Sequence, residues 1–253
     1  MKPIQIYRAK DSKEKYYKKK GNCFDLPMRI LLVGKSQFSG KSSFLLNMLC
    51  QDDKRLYKDD FDEIYIFSGS LTTDNKVKTI ILQHDIPEEN CYDTFDNDML
   101  DAIFDLTKDE YEIAISEGSK PKNVLVILDD VGFDASMKKD GSINKCFCNG
   151  RHINLSICCV GQRYTQFHTT QRENATGIIA WSCSDKQLDL ISDDHNQLGD
   201  KKIFKSMFRK VTEDPFSAMI ISYSNPKESR YMNLNFEAVG PCGKVKNKGC
   251  NCP

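Results

Sequence analysis

Apolar residues follow two rhythms along this chain. Short unbroken runs at Ile30–Val33, Ile64–Phe67, Val124–Leu128, Leu155–Gly161, Gly177–Cys183 and Ala218–Tyr223 have the length and β-branched content of buried strands. Between them the spacing changes. Phe44, Leu45, Met48 and Leu49 recur at helical intervals after Lys41, predicting a helix over 41–50. Met99, Leu100, Ile103, Phe104 and Leu106 make a second helical stripe, continuing through Tyr111 and Ile115 until Gly118 and Pro121 break it. Further helices are expected around 144–148, 185–191 and 201–210, and the β-branched residues of 77–83 predict another strand. Strands alternating with helices give an α/β fold, a mostly parallel central sheet with helices on both faces, and 253 residues suffice for five to seven strands.

The first run leads into Gly34-Lys35-Ser36-Gln37-Phe38-Ser39-Gly40-Lys41-Ser42-Ser43, a small-residue loop between strand and helix. In that context a Gly-Lys-Ser triplet predicts a phosphate loop. Backbone amides of residues 34–43 and the helix start offer partial positive charge to an anion, and Gly40 permits close approach. Lys41 can place its ammonium against the β and γ phosphates, and the Ser42 hydroxyl can join a Mg²⁺ shell. Gly34 and Gly40 enclose five residues where the usual loop has four. Either Gly34 serves in a loop one residue longer, or the first glycine is replaced by Lys35.

Two more polar sites end apolar strands: Asp129-Asp130 and Gln162-Arg163. Ligands of parallel sheets sit at the strands' carboxyl ends, so the three tips predict one site. Phosphoryl transfer to water needs a held metal, an oriented nucleophile and positive charge. Asp129 suits the metal, Asp130 the attacking water and Gln162 the γ-phosphate or the water. Arg151, Arg163 and Arg172 are candidates for the cation, supplied by a neighbouring subunit where such ATPases form rings.

Net charge is zero, but it is unevenly spread. Residues 1–20 hold eight Lys/Arg against two acids, whereas 85–117 hold twelve acids against Lys108 alone. A basic arm and an acidic face suit anionic partners and oriented assembly. No apolar run reaches the length of a membrane span, no signal-peptide core opens the chain, and eleven cysteines then indicate a reducing compartment. Cys242, Cys250 and Cys252, with Cys146 and Cys148, lack the paired spacing of a zinc knuckle and read as thiols.

Gly150-Arg151-His152-Ile153-Asn154-Leu155-Ser156, Gly161-Gln162-Arg163-Tyr164-Thr165 and Arg172-Glu173-Asn174-Ala175 carry a family resemblance. Over roughly residues 28–225 the chain resembles the DNA-packaging ATPases of large double-stranded DNA viruses and virophages, the poxvirus-type branch of the FtsK–HerA superfamily. The resemblance implies a P-loop NTPase fold of the additional-strand, RecA-like type, with the glutamine strand between the phosphate-loop and double-acid strands. It implies Lys41 and Ser42 as the phosphate-loop pair, Asp129 and Asp130 as metal-binding and catalytic acids, and Gln162 as sensor. It also implies ATP and Mg²⁺, a homo-oligomeric ring (a hexamer), duplex DNA gripped by its backbone, and capsid or portal partners at a viral assembly site in host cytoplasm or in the virion. The expected divisions are a basic arm at 1–27, the ATPase domain at 28–225 and a cysteine-containing tail at 226–253. Lysines 13, 15, 18, 19 and 20, with Lys201, Lys202, Lys205, Arg209 and Lys210, are the candidate DNA contacts.

Other P-loop classes make different demands. A GTPase would need an Asn-Lys-x-Asp guanine reader, and Ser182-Cys183-Ser184-Asp185 is not one. A nucleotide kinase would need an arginine-rich lid. Those two classes, a small NTP-binding switch and a kinase, are the alternative to the motor, and a non-catalytic scaffold that binds nucleotide is a third reading.

Overall fold

A computed structural model describes residues 24–36, 39–131 and 141–246. The lysines of the basic arm, Gln37, Phe38, Cys250 and Cys252 lie outside the described residues.

The six apolar runs, joined by two short edge strands, form a single eight-stranded sheet, one strand beyond the expected range. Its strands are β1 (Arg29–Val33), β2 (Glu63–Ser68), β3 (Cys91–Tyr92), β4 (Val124–Asp129), β5 (Leu155–Gly161), β6 (Gly177–Trp181), β7 (Ala218–Ser222) and β8 (Tyr231–Met232). They lie in the order β3-β2-β4-β5-β1-β6-β7-β8. The strands from β3 to β6 pair parallel, whereas β6–β7 and β7–β8 are antiparallel. The sheet thus continues past residue 225.

Seven helices are described: α1 (Lys41–Cys50), α2 (Asn75–Gln83), α3 (Asn97–Glu117), α4 (Gly141–Asn149), α5 (Thr169–Asn174), α6 (Asp185–His195) and α7 (Lys201–Val211). The pleat divides the strand residues between two cores. Ile30, Leu32, Ile127, Val160 and Ile179 pack with α1 and α2, while Leu31, Val33, Leu128, Cys159 and Ile178 pack with α3, α4, α6 and α7. Coverage on both faces is why these runs read as continuously apolar rather than alternating. Trp181 and the Ile178–Ile179 pair are core residues, as expected.

Residues 77–83 are helical, not extended. Val77 and Ile80 are buried three positions apart, and the Asp74 side chain caps the helix by accepting the Lys76 amide at 2.8 Å. A helix-length stripe plus an N-cap outweighs β-branched propensity. Among the described residues, no helix is long and apolar enough to cross a membrane.

Behind the sheet, His195 is buried in a closed polar network. The Tyr164 hydroxyl donates to Asp194 at 2.8 Å, and Arg172 donates to the same carboxylate at 2.7 Å. His195 bonds to the Tyr164 and Tyr223 hydroxyls at 2.5 and 2.7 Å, which a neutral imidazole satisfies with one donor and one acceptor. Burial lowers its pKa to about 4, against the pull of Asp194. An unfolded histidine takes its proton near 6.5, so between those values the unfolded chain binds more protons and stability falls as pH falls. Relative to His195→Gln, the wild type is expected to lose up to about 3 kcal/mol between pH 6.5 and 4. Parallel pH curves in chemical denaturation would contradict this.

Candidate active site

Three adjacent parallel strands carry the three polar tips. The phosphate-loop strand β1 pairs with β5, with Val33 opposite Gly161, and β5 pairs with β4, with Val160 opposite Asp129. The strand ending in Gln162 therefore lies between the other two, the order the family resemblance implied. Parallel pairing in this register brings Lys41, Asp129, Asp130 and Gln162 to one edge, because their strands all end there.

The loop after β1 is shaped by its two glycines. A Cβ at Gly34 would stand 2.8 Å from Ser39 Cβ and 3.1 Å from Trp181 Cβ, so the strand end accepts no larger residue without displacing the loop. That favours Gly34 as the first glycine of a loop one residue longer. Gly40 caps α1 with φ 83°, a left-handed conformation that costs glycine little. The first helical bond runs from Phe44 N–H to Gly40 C=O, so the amides of residues 41–43 are donors at the helix start. Lys35 and Ser36 are exposed, whereas Ser39 is buried and donates its hydroxyl to the Lys35 carbonyl at 2.7 Å.

The Lys41 side chain curls back into this loop. Its ammonium donates to the carbonyls of Gly34 and Lys35, at 2.5 and 2.9 Å, and to the Ser39 hydroxyl at 3.4 Å. Burial lowers its pKa, while the charges of Asp130 and Asp129 pull it upward. The lysine and both acids thus share one electrostatic field. Ser42 and Ser43 are half-buried on the first turn of α1.

Asp129 is the last residue of β4 and is buried. Desolvation pushes its pKa up to about 6, against a hydrogen bond donated by the Ser68 hydroxyl at 3.2 Å. Asp130 turns out of the strand with φ 49°, and its carboxylate is exposed. The left-handed turn sends two adjacent acids into different environments, one dry and one wet. The Gln162 amide donates to both Asp130 oxygens, at 3.0 and 3.2 Å.

The candidate arginines divide. Arg163 follows Gln162 and is exposed, and Arg151 is exposed in the turn before β5, its Nε donating to the His152 ring at 3.3 Å. Arg172 is engaged within its own chain: its guanidinium pairs with Asp194 and lies 5.1 Å from the centre of the Tyr164 ring.

Two supporting residues escaped the sequence reading. Ser68 closes β2 beside Asp129, and the Gln166 side-chain oxygen accepts the amides of Gln162 and Arg163, both at 2.7 Å, fixing the turn that presents Gln162. Neither belongs to a motif, and only the pairing of β2 with β4 and the short turn after β5 reveal them.

A hydroxyl (Ser42) and a carboxylate (Asp129) are hard oxygen donors and fit Mg²⁺, which takes one or two protein ligands and fills its shell from phosphates and water. Among the described residues, no group of three or more His, Cys, Asp or Glu side chains able to hold a metal occurs. Cys146, Cys158 and Cys159 are buried free thiols whose pKa burial raises, inert core residues rather than ligands.

Comparison with known proteins bears on the family and the fold. The sequence model of the family described as Poxvirus A32 protein matches residues 14–234. No curated protein sequence matches. Among solved structures, the genome packaging NTPase B204 from Sulfolobus turreted icosahedral virus 2, in complex with AMP, superposes with a TM-score of 0.54 at 15% identity, covering 82% of this chain and 96% of that one. Its complex with ATP-gammaS gives 0.51 at 16% identity, with coverages of 82% and 96%. B204, the DNA-packaging ATPase from Sulfolobus turreted icosahedral virus, gives 0.52 at 14% identity, with coverages of 82% and 97%. At such identities the likeness is one of fold.

Proposed function

The chain belongs to the poxvirus A32 protein family, and on that premise we propose that it is an ATP-hydrolysing motor that drives double-stranded viral DNA into a preformed capsid. The observation that carries the reading is the convergence of Lys41, Asp129, Asp130 and Gln162 at the ends of three neighbouring parallel strands. The ATPase unit is taken to run over residues 28–225, after a basic arm at 1–27, with the 226–253 segment adding edge strand β8.

In this reading the loop amides from Gly34 to Ser43 cradle the triphosphate. Lys41 exchanges its loop carbonyl partners for phosphate oxygens. Ser42 and Asp129 would hold Mg²⁺, which when bound neutralises charge on the phosphates. Asp130 orients the attacking water and takes its proton as the water's oxygen bonds to the γ-phosphorus and the bond to the β-phosphate oxygen breaks, releasing ADP and phosphate. Gln162, already on Asp130, fixes that carboxylate and reports whether the γ-phosphate is present. A neighbouring subunit in a ring, a hexamer by analogy with such motors, supplies the arginine. Exposed Arg163 is the strongest candidate, then Arg151, while Arg172 is engaged with Asp194 in its own subunit.

A packaging motor must accept any sequence, so its DNA contacts are to backbone phosphates. Helix α7 is only partly available for them: Lys201, Lys205 and Arg209 pair with Asp193, Asp189 and Asp185 of α6, while Lys202 and Lys210 are exposed. Those two, with the arm lysines, are the better candidates. Viral assembly sites in host cytoplasm, or the virion itself, are the proposed place of action, with capsid or portal components as partners.

The test is ATP hydrolysis with and without duplex DNA at low salt. The motor reading expects severalfold stimulation, independent of DNA sequence and lost as salt rises. Steady hydrolysis indifferent to DNA would overturn it in favour of a nucleotide switch or kinase.

A further inference from the structure

A triphosphate lying in this loop has two ends, and the acids fix only one of them. Asp130 and Gln162 mark the γ end, so the nucleoside must leave on the side of the loop away from them. A cavity of about 350 Å³ opens between α1 and the segment around residues 234–236. Gly40 and Ser43 belong both to its wall and to the phosphate loop, and neither acid nor Gln162 borders it. Its volume falls within the range of small-ligand sites.

Phe216 lines it. The residue adopts φ 65°, a conformation that bulky side chains rarely take, and its side chain is 56% exposed. The strain is held from behind, because the Trp181 indole N–H donates to the Phe216 carbonyl at 3.1 Å and the Trp181 ring packs edge-on against Phe44 of α1. A Cβ built on Gly40 would lie 3.6 Å from the Phe216 ring, so the ring faces the loop at Gly40 across a gap that one methyl-sized group would fill. An exposed aromatic kept in a costly conformation beside a ligand site is better explained by a ligand than by the core. One turn beyond Ser43, exposed Asn47 offers the cavity a carboxamide.

We propose that this cavity takes the base of the bound nucleotide, with Phe216 as its stacking face and Asn47 the polar group nearest the base edge. The inference rests on the nucleotide-site reading above and adds where the nucleoside goes. It makes Phe216 a binding residue for the base alone, with no part in holding phosphate.

Equilibrium binding of ATP and of inorganic tripolyphosphate separates the two ideas. In Phe216→Ala, ATP affinity is expected to fall about tenfold or more while tripolyphosphate affinity is unchanged, and Phe216→Trp should restore ATP binding. Lys41→Ala should weaken both ligands. If Phe216→Ala binds ATP as the wild type does, or loses both ligands equally, the base pocket is wrong while the phosphate loop stands. If Lys41→Ala leaves both affinities unchanged, the nucleotide site itself is misplaced and the pocket falls with it.

Discussion

Lys41→Ala is expected to reduce ATP hydrolysis to background, a loss of about a thousandfold or more, the scale of removing a preorganised charge from a developing phosphoryl transition state. The ammonium is buried, and it sits in the field of Asp129 and Asp130. Water would replace it poorly there. The same substitution leaves the carbonyls of Gly34 and Lys35 without their donor, so the loop should also loosen, at a cost of about 1–3 kcal/mol in denaturation experiments. The two effects separate readily. Loosening alone would be reversed by saturating nucleotide, whereas loss of the charge would not. A variant hydrolysing ATP within tenfold of the wild type would remove Lys41 from the chemistry.

Asp130→Asn is expected to bind ATP within a few-fold of the wild type while single-turnover hydrolysis falls about 10²–10⁴-fold, the usual contribution of a positioned general base. The asparagine keeps the shape of the side chain and one oxygen to accept from Gln162, so the turn that starts with φ 49° should survive. Only the ability to take a proton is lost. Asp129→Asn should behave differently. It removes a buried carboxylate next to the loop, so Mg²⁺-dependent nucleotide binding should weaken along with turnover. If the Asp130 variant lost binding and turnover in the same proportion, Asp130 would belong to the metal and not to the water.

Much of the fold could be read from the chain. Strands such as Val124–Asp129 and Leu155–Gly161 are buried on both faces, so their sequences contain little but apolar residues. The long helix Asn97–Glu117 was readable because one face is buried and the other is acidic. Residues 77–83 were misleading because β-branched side chains satisfy either period over so short a span, and the cap at Asp74 was the deciding signal. The short edge strands β3 and β8, two residues each, carry no pattern of their own and exist only because a neighbour offers unpaired backbone groups.

At the site the division is similar. Sequence alone determined the chemical types, Gly40-Lys41-Ser42, Asp129-Asp130 and Gln162, and that each follows an apolar run, because those choices are local. Which strands neighbour one another was decided by the tertiary structure, since crossover connections, not sequence distance, place β5 between β1 and β4. It also decided that Ser68 bonds to Asp129, that Arg172 pairs with Asp194, and that Phe216 faces Gly40, pairings between residues 61, 22 and 176 positions apart. Local periodicity records what a residue must bury, but not which distant residue it will meet.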